Sequence, residues 1–354
     1  MNDRPMVPIF DGHNDALLRL YNNEDESPTS FLTGGERGHL DLKKAEAGGF
    51  AGGMFACFVP SKKANRSTVR RKGQGYEEAF PATPAQPDAL KTTLSLAADL
   101  FRIEALSKGR FKVARTAGDI EACIAEGVVA ATLHIEGAEA IDPKLDALDV
   151  LHQAGLRSIG PVWSRPNIFG HGVPFRFPSS PDIGPGLTDA GLALIKACNE
   201  RKILIDLSHL NEKGFWDVQK LSDAPLVATH SNLHDLCPVS RNLTNKQLHA
   251  IRESDGMVGL NYAVCFLRED GENRADTPFE MMLRHLDGLI EQLGEDRVGL
   301  GSDFDGATIP KDIGTAAGLQ GFVQAMRDHG YGLPLVEKIC YRNWLRVLKT
   351  TWGA

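Results

Sequence analysis

Ile9-Phe10-Asp11-Gly12-His13-Asn14-Asp15 is an apolar run that closes with a histidine and an aspartate two residues apart. Side chains alternate across a strand, so His13 and Asp15 leave the same face at its C-terminal end. An imidazole and a carboxylate side by side supply half of a metal site. A surface turn rich in Asp and Asn would look the same over seven residues. What separates the two readings is whether the pattern recurs.

It does recur. Gly49 to Val59 reads as a second strand closed by Pro60, and Val128 to Gly137 as a third, ending in His134, Glu136 and Gly137. Glu136 shares strand parity with His134, so both face the interior. Leu156 to Trp163 makes a fourth strand. Ile203 to His209, Pro225 to Ser231, Met257 to Tyr262 and Val298 to Gly306 make four more, the fifth and sixth ending at or beside His209 and His230 and the eighth carrying Asp303. Helical stretches are expected at 16–21, 89–107, 188–201 with Thr188 as N-cap, and 278–293. Residues 22–38, 61–88 and 166–186 read as loops. The second of these begins with a basic run (Lys62, Lys63, Arg66, Arg70, Arg71, Lys72) and continues Pro-rich, the composition of a solvated loop or of a flap over a barrel mouth.

Eight short strands with few polar positions, most of them separated by helices, match an α/β fold of the (β/α)8 TIM-barrel type better than a doubly wound sheet. The 354 residues suit a single domain of this kind over 1–354, with a loop insertion at about 61–88. Active sites of this fold lie at the C-terminal ends of the strands. There His13, Asp15, Glu136, His209, His230 and Asp303 converge.

The chain is 42% hydrophobic and 24% charged, with a net charge of −7. Neither nucleic acid nor an acidic membrane selects such a surface, and a small-molecule substrate is expected. Six cysteines are scattered without a C-x-x-C pair, which suggests a reducing compartment. No basic segment followed by an apolar stretch opens the chain, and no run of about 18 apolar residues occurs. A cytoplasmic location is expected.

Three histidines and three carboxylates in one cavity are costly to bury without cations. Two divalent ions resolve this, one held by His13 and Asp15 and the other by His209 and His230, with Glu136 reaching both. Such a pair shares a hydroxide and makes a hydrolase, with Asp303 taking the proton and handing it to the leaving group. Nitrogen and oxygen ligands without thiolate suit Zn2+, with Mn2+ or Co2+ as alternatives. An isolated histidine is more often a satisfied core or surface residue, and His39, His134, His152, His234, His249, His285 and His329 are assigned there. His171 is kept as a loop residue near the mouth.

DGHNDAL at 11–17, HIEG at 134–137, DLSH at 206–209, THSN at 229–232, SRNLT at 240–244 and GSDFDG at 301–306 together resemble, in the same order over nearly the whole chain, the membrane (renal) dipeptidase family of metallopeptidases. That family is a barrel of the amidohydrolase superfamily. The resemblance implies a binuclear zinc dipeptidase in which Glu136 bridges, Asp303 is the catalytic aspartate and Arg241 binds the terminal carboxylate of the dipeptide. A guanidinium suits that last task, because it pairs with a carboxylate bidentately. A homodimer is the family's common assembly.

One position departs from the family. Its well-studied members carry a histidine at the end of the fourth strand, where this chain has Trp163. An indole N–H donates one hydrogen bond but cannot become cationic, so oxyanion stabilisation falls to a metal, His171 or Arg165. Trp163, His171 and Asn261 are counted with Arg241 as substrate-binding residues. The expected function is hydrolysis of dipeptides, including ones with a C-terminal D-residue. The alternatives are another amidohydrolase reaction (lactone, N-acyl-amino-acid or phosphoester hydrolysis) and a metal-bound binding protein without catalysis.

Overall fold

Strands that carry almost no polar side chains must be covered on both faces, and the computed structural model, which describes residues 6–61, 69–73 and 75–353, shows how. Eight parallel strands form the barrel: β1 (Ile9–Asn14), β2 (Phe50–Phe58), β3 (Val129–Glu136), β4 (Leu156–Gly160), β5 (Leu204–Ile205), β6 (Val227–Ala228), β7 (Met257–Asn261) and β8 (Val298–Gly301). The hydrogen-bonded order is β6-β7-β8-β1-β2-β3-β4-β5. One parallel pair, Asp206 with Val227, bridges the remaining gap between β5 and β6, and Leu207 N donates to Val227 O at 2.8 Å. The (β/α)8 expectation therefore holds.

Register places the functional ends side by side. Glu136 is level with Phe58 of β2 and with Gly160 of β4, and Asn14 pairs with Phe304 just beyond β8. The opposite end of the barrel is plugged by Phe10, Met54, Leu204, Val227, Met257 and the ring of Trp344 from the C-terminal helix Asn343–Trp352. Trp344 is fully buried and its Nε1 donates to Leu300 O at 3.0 Å. Gly12 makes room for it, since a Cβ there would overlap both Trp344 and Thr229 O. Truncating an aromatic side chain so placed costs about 3–5 kcal/mol.

Several boundaries differ from the sequence reading. β5 and β6 are two residues long, and His209, His230 and Asp303 stand on turns past the strand ends, with His209 and Asp303 at φ of +68° and +58°. β4 stops at Gly160, so Trp163 lies on the following turn. The helix expected from residue 89 begins at Gln86, with Pro87 in its first turn. Thr188 caps the helix Asp189–Glu200 as expected, its Oγ1 accepting from Gly191 N at 3.1 Å.

The largest correction concerns the expected loops 61–88 and 166–186. Val69–Lys72 and Gly75–Glu78 form a hairpin whose second strand pairs antiparallel with Arg176–Phe177. This small sheet roofs the C-terminal mouth of the barrel, with Tyr76 stacked on Phe177 at 6.0 Å. Lys62, Lys63 and Arg66 of the basic run lie outside the described residues. Among the described residues no helix is long and apolar enough to cross a membrane.

Candidate active site

At the mouth a cavity of about 600 Å³ has Asp15, Glu136, His209 and Asp303 on its polar side. Phe58, Trp163, Phe175 and Phe266 form an aromatic wall, and Arg71, Tyr76, Glu78 and Glu272 stand at the rim. Arg71 of the hairpin reaches across to Glu272 at 3.0 Å.

Glu136 occupies the centre. Its Oε1 is 2.9 Å from His209 Nε2 and 3.6 Å from His230 Nε2, and its Oε2 is 3.6 Å from His13 Nε2. His13 Nε2 also meets Asp15 Oδ2 at 3.3 Å. Three candidate ligand groups result, Glu136 with His209 and His230, His13 with Asp15 and Asp303, and His13 and His230 with the buried Asp206, each with its candidate donor atoms within 4.8 Å of one another. All six side chains that the sequence brings to the strand ends are thus assembled in one place.

The donor set fits cations. Thr229 Oγ1 donates to Asp206 Oδ2 at 2.6 Å, so at its 2.8 Å contact with His230 Nδ1 it accepts. This leaves His230 Nε2 as a lone pair aimed at His209 Nε2, 3.2 Å away, and at Glu136. Burial pushes both His209 and His230 well below the ordinary imidazole range, so neither resolves the crowding by protonation. His13 behaves oppositely: burial opposes its charge, but Glu136, Asp15 and Asp303 outweigh it and bring the pKa up to about 10. Burial likewise pushes Glu136 well above, and Asp303 above, the usual carboxylate range. A centre that draws a proton onto one histidine and leaves the His230 lone pair facing a carboxylate has the electron density that divalent ions neutralise.

Residues 5–352 match the family model for membrane dipeptidases, peptidase family M19. The chain belongs to that family. A metallo peptidase from Rhodobacter sphaeroides, solved with a phosphinate mimic of the dipeptide L-Ala-D-Ala, is similar at 53% identity and a TM-score of 0.94, over 98% of this chain and 100% of that one. A metallo peptidase named dipeptidase AC is similar at 54% identity and a TM-score of 0.93, over 99% of this chain and 100% of that one. A Klebsiella pneumoniae protein described by its place in the pqqA 5′ region is 51% identical over 72% of this chain and 93% of its own length.

In this M19 metallodipeptidase, Asp303 accepts from Asn261 Nδ2 at 3.0 Å through Oδ2, and its backbone N–H donates to His13 O at 3.0 Å. Asn261 thus orients Asp303 rather than facing the cavity. Gly306 leaves the space that Asp15 and Asp303 use, since a Cβ there would overlap a carboxylate oxygen of each. Arg241 is 3% exposed and stacks on Phe266, 5.7 Å from the ring centroid. It donates to Ser231 Oγ at 2.9 Å and to His230 O at 3.0 Å, while its Nε–H is buried without a partner. Among the described residues no carboxylate pairs with it, and burial brings its pKa down to about 10 against the pull of Asp303.

Two sequence expectations, those for Arg165 and His171, need correction. Trp163 does line the cavity, packed on Phe58 and Phe175 at 4.9 and 5.5 Å and beside His209 at 5.8 Å. Arg165, offered as an oxyanion donor, is consumed elsewhere: its Nε pairs with buried Glu139 at 2.8 Å and its other nitrogens bond Ser61 Oγ and Val59 O. His171 is not among the residues lining the cavity; its carbonyl accepts from Asn211 N and its ring neighbours Gly184.

Sequence reasoning also passes over residues that hold the site. His39, assigned to the satisfied core or surface residues, receives Asp305 N at its Nδ1 while its own N–H donates to Asp305 Oδ1 at 2.6 Å, clamping the turn that carries Asp303. Asp11 accepts from Ser302 N and Oγ, tying β1 to the end of β8. The sequence signal for Asp11 was its place in the DGHNDAL motif, whereas His39 lies in none of the quoted motifs.

Proposed function

We propose that the protein hydrolyses dipeptides, including those with a carboxy-terminal D-residue, at a centre of two divalent cations, zinc by the nature of the ligands. The observation that carries this is Glu136, whose two oxygens face separate histidine sets. The relative bound to an L-Ala-D-Ala mimic supports the substrate class.

His13 and Asp15 would hold one cation, His209 and His230 the other, and Glu136 both. When bound, such a pair lowers the pKa of a water toward neutrality and polarises a carbonyl. Asp303, its Oδ2 fixed by Asn261, keeps its other oxygen to take a proton from the attacking water and return it to the leaving amine. Arg241, with no internal counter-ion, takes the free carboxylate of the substrate and so orients the scissile bond. Trp163, with Phe58 and Phe175, excludes water on the His209 side of the cavity. By family resemblance a homodimer is expected, which light scattering checks.

A panel of L,L- and L,D-dipeptides tested with the zinc-loaded protein is the direct assay. Turnover of dipeptides and much slower turnover of their C-terminal amides is expected. No turnover of any dipeptide, alongside turnover of a lactone or phosphotriester, would overturn the reading.

A further inference from the structure

Two motif residues have no task in the mechanism above: His134 of HIEG and Asp206 of DLSH. Both are buried, 0% and 1% exposed, inside the barrel beneath the ligand cluster. His134 Nδ1 bonds Ser158 Oγ at 2.9 Å, but its Nε2 is buried without a partner. His13 Nδ1 is buried without a partner as well, and the two rings stand edge to face, 5.4 Å apart. Asp206 Oδ2 lies 3.8 Å from His134 Nε2, beyond hydrogen-bond reach, and the carboxylate comes within 4.8 Å of a nitrogen of His13. Orphaned buried nitrogens are costly to leave unpaired, and a gap of this width between polar groups is the span a single water bridges.

We propose that a buried water occupies this space, and that through it Asp206 serves as a shared positioning residue for one histidine of each cation site. Toward His230 the link runs through a side chain: Thr229 Oγ1 donates to Asp206 Oδ2 and accepts from His230 Nδ1, which leaves Nε2 free to ligate. Toward His13 the link runs through the water. With Nε2 of His13 ligating, its Nδ1–H donates to the water, and the water donates to Asp206 Oδ2 and to His134 Nε2. His134 then carries its proton on Nδ1 and donates to Ser158. Three partners are what a buried water typically has. Asp206 Oδ1 is meanwhile held by Thr229 N at 2.8 Å and Ser208 N at 3.0 Å, so the carboxylate cannot swing away. Metal-bound imidazoles need such acceptors behind them, and removing one typically costs 10- to 100-fold in metal affinity.

This rests on His13 and His230 being ligands of different cations, so the test reads metal affinity site by site. Stepwise zinc affinities, by chelator competition, would be compared for the wild-type protein, Thr229→Val, His134→Leu and Asp206→Asn. Thr229→Val should weaken one of the two zinc affinities by about 10- to 100-fold, His134→Leu the other, and Asp206→Asn both. A high-resolution crystal structure of the zinc-loaded wild-type protein should show one water within hydrogen-bond distance of His13 Nδ1, His134 Nε2 and Asp206 Oδ2. No density there, or equal weakening of both zinc affinities by Thr229→Val and His134→Leu, would overturn the proposal. Binding of fewer than two zinc ions by the wild-type protein would instead strike the ligand assignment beneath it.

Discussion

Glu136 sets Oε1 2.9 Å from His209 Nε2 and Oε2 3.6 Å from His13 Nε2, so one carboxylate faces histidines from opposite sides of the barrel. Strand β3, which ends in Glu136, lies between β2 and β4, and the register with Phe58 and Gly160 fixes how far it reaches. The consequences can be tested residue by residue.

Asp303→Asn keeps the shape of the side chain and its bond to Asn261 but removes the proton acceptor. It should lower kcat by about 10²- to 10⁴-fold while the zinc content stays at two per chain. Unchanged kcat would remove Asp303 from the chemistry, and absent turnover in the wild-type protein would favour a binding protein.

Arg241→Lys keeps the charge and loses the planar fork. The expected loss in kcat/KM for free dipeptides is about 10²-fold, with no further loss on C-terminally amidated dipeptides, which have no carboxylate to offer. An equal loss on both substrates would mean that Arg241 acts through the fold instead.

Metal loading should depend on pH through His13. In the metal-free protein its pKa stands at about 10 because Glu136, Asp15 and Asp303 outweigh the burial that opposes its charge. The unfolded chain has it near 6.5, so this proton's contribution to stability is complete below about 6.5. It is lost as pH rises through 10. A cation must expel the same proton, so apparent zinc affinity should climb by up to about tenfold per pH unit across that window. Chelator competition at two pH values measures it, and a flat profile contradicts it.

Trp163→Ala opens the aromatic wall between Phe58 and Phe175. Dipeptides with large apolar side chains should lose about 10- to 100-fold in kcat/KM and those built of alanine much less. A uniform loss would assign Trp163 to packing alone.

Glu139→Gln leaves the Arg165 guanidinium buried and unpaired, at a cost of about 3–5 kcal/mol. The double variant Glu139→Leu, Arg165→Met should unfold at a higher midpoint than Glu139→Gln alone. The reverse order would mean that the pair is worth more than its desolvation.

How much of this was readable in the sequence depends on locality. His13, Asp15 and Glu136 follow from alternation along continuous strands, and β1 and β3 are six and eight residues long. His209, His230 and Asp303 lie past their strands, where alternation says nothing, and only the sequel of polar residues to apolar runs marks them. His134 shares the face of Glu136 but lies a layer deeper beside Asp206, and a period of two gives the face without the depth. A flap over the mouth is among the readings of residues 61–88, but the sheet it forms escapes, because its third strand is two residues, Arg176–Phe177, from a Pro- and Gly-rich loop about a hundred residues away. Arg165 looks available until Glu139, brought back by the turn at Gly137, neutralises it.

Anomalous scattering at the zinc edge from crystals of the zinc-loaded protein tests the centre most directly. Two peaks about 3.5–4 Å apart are expected, one beside His13 and Asp15, the other beside His209 and His230, with Glu136 between them. A single peak, or peaks that Glu136 does not reach, would contradict the two-cation site.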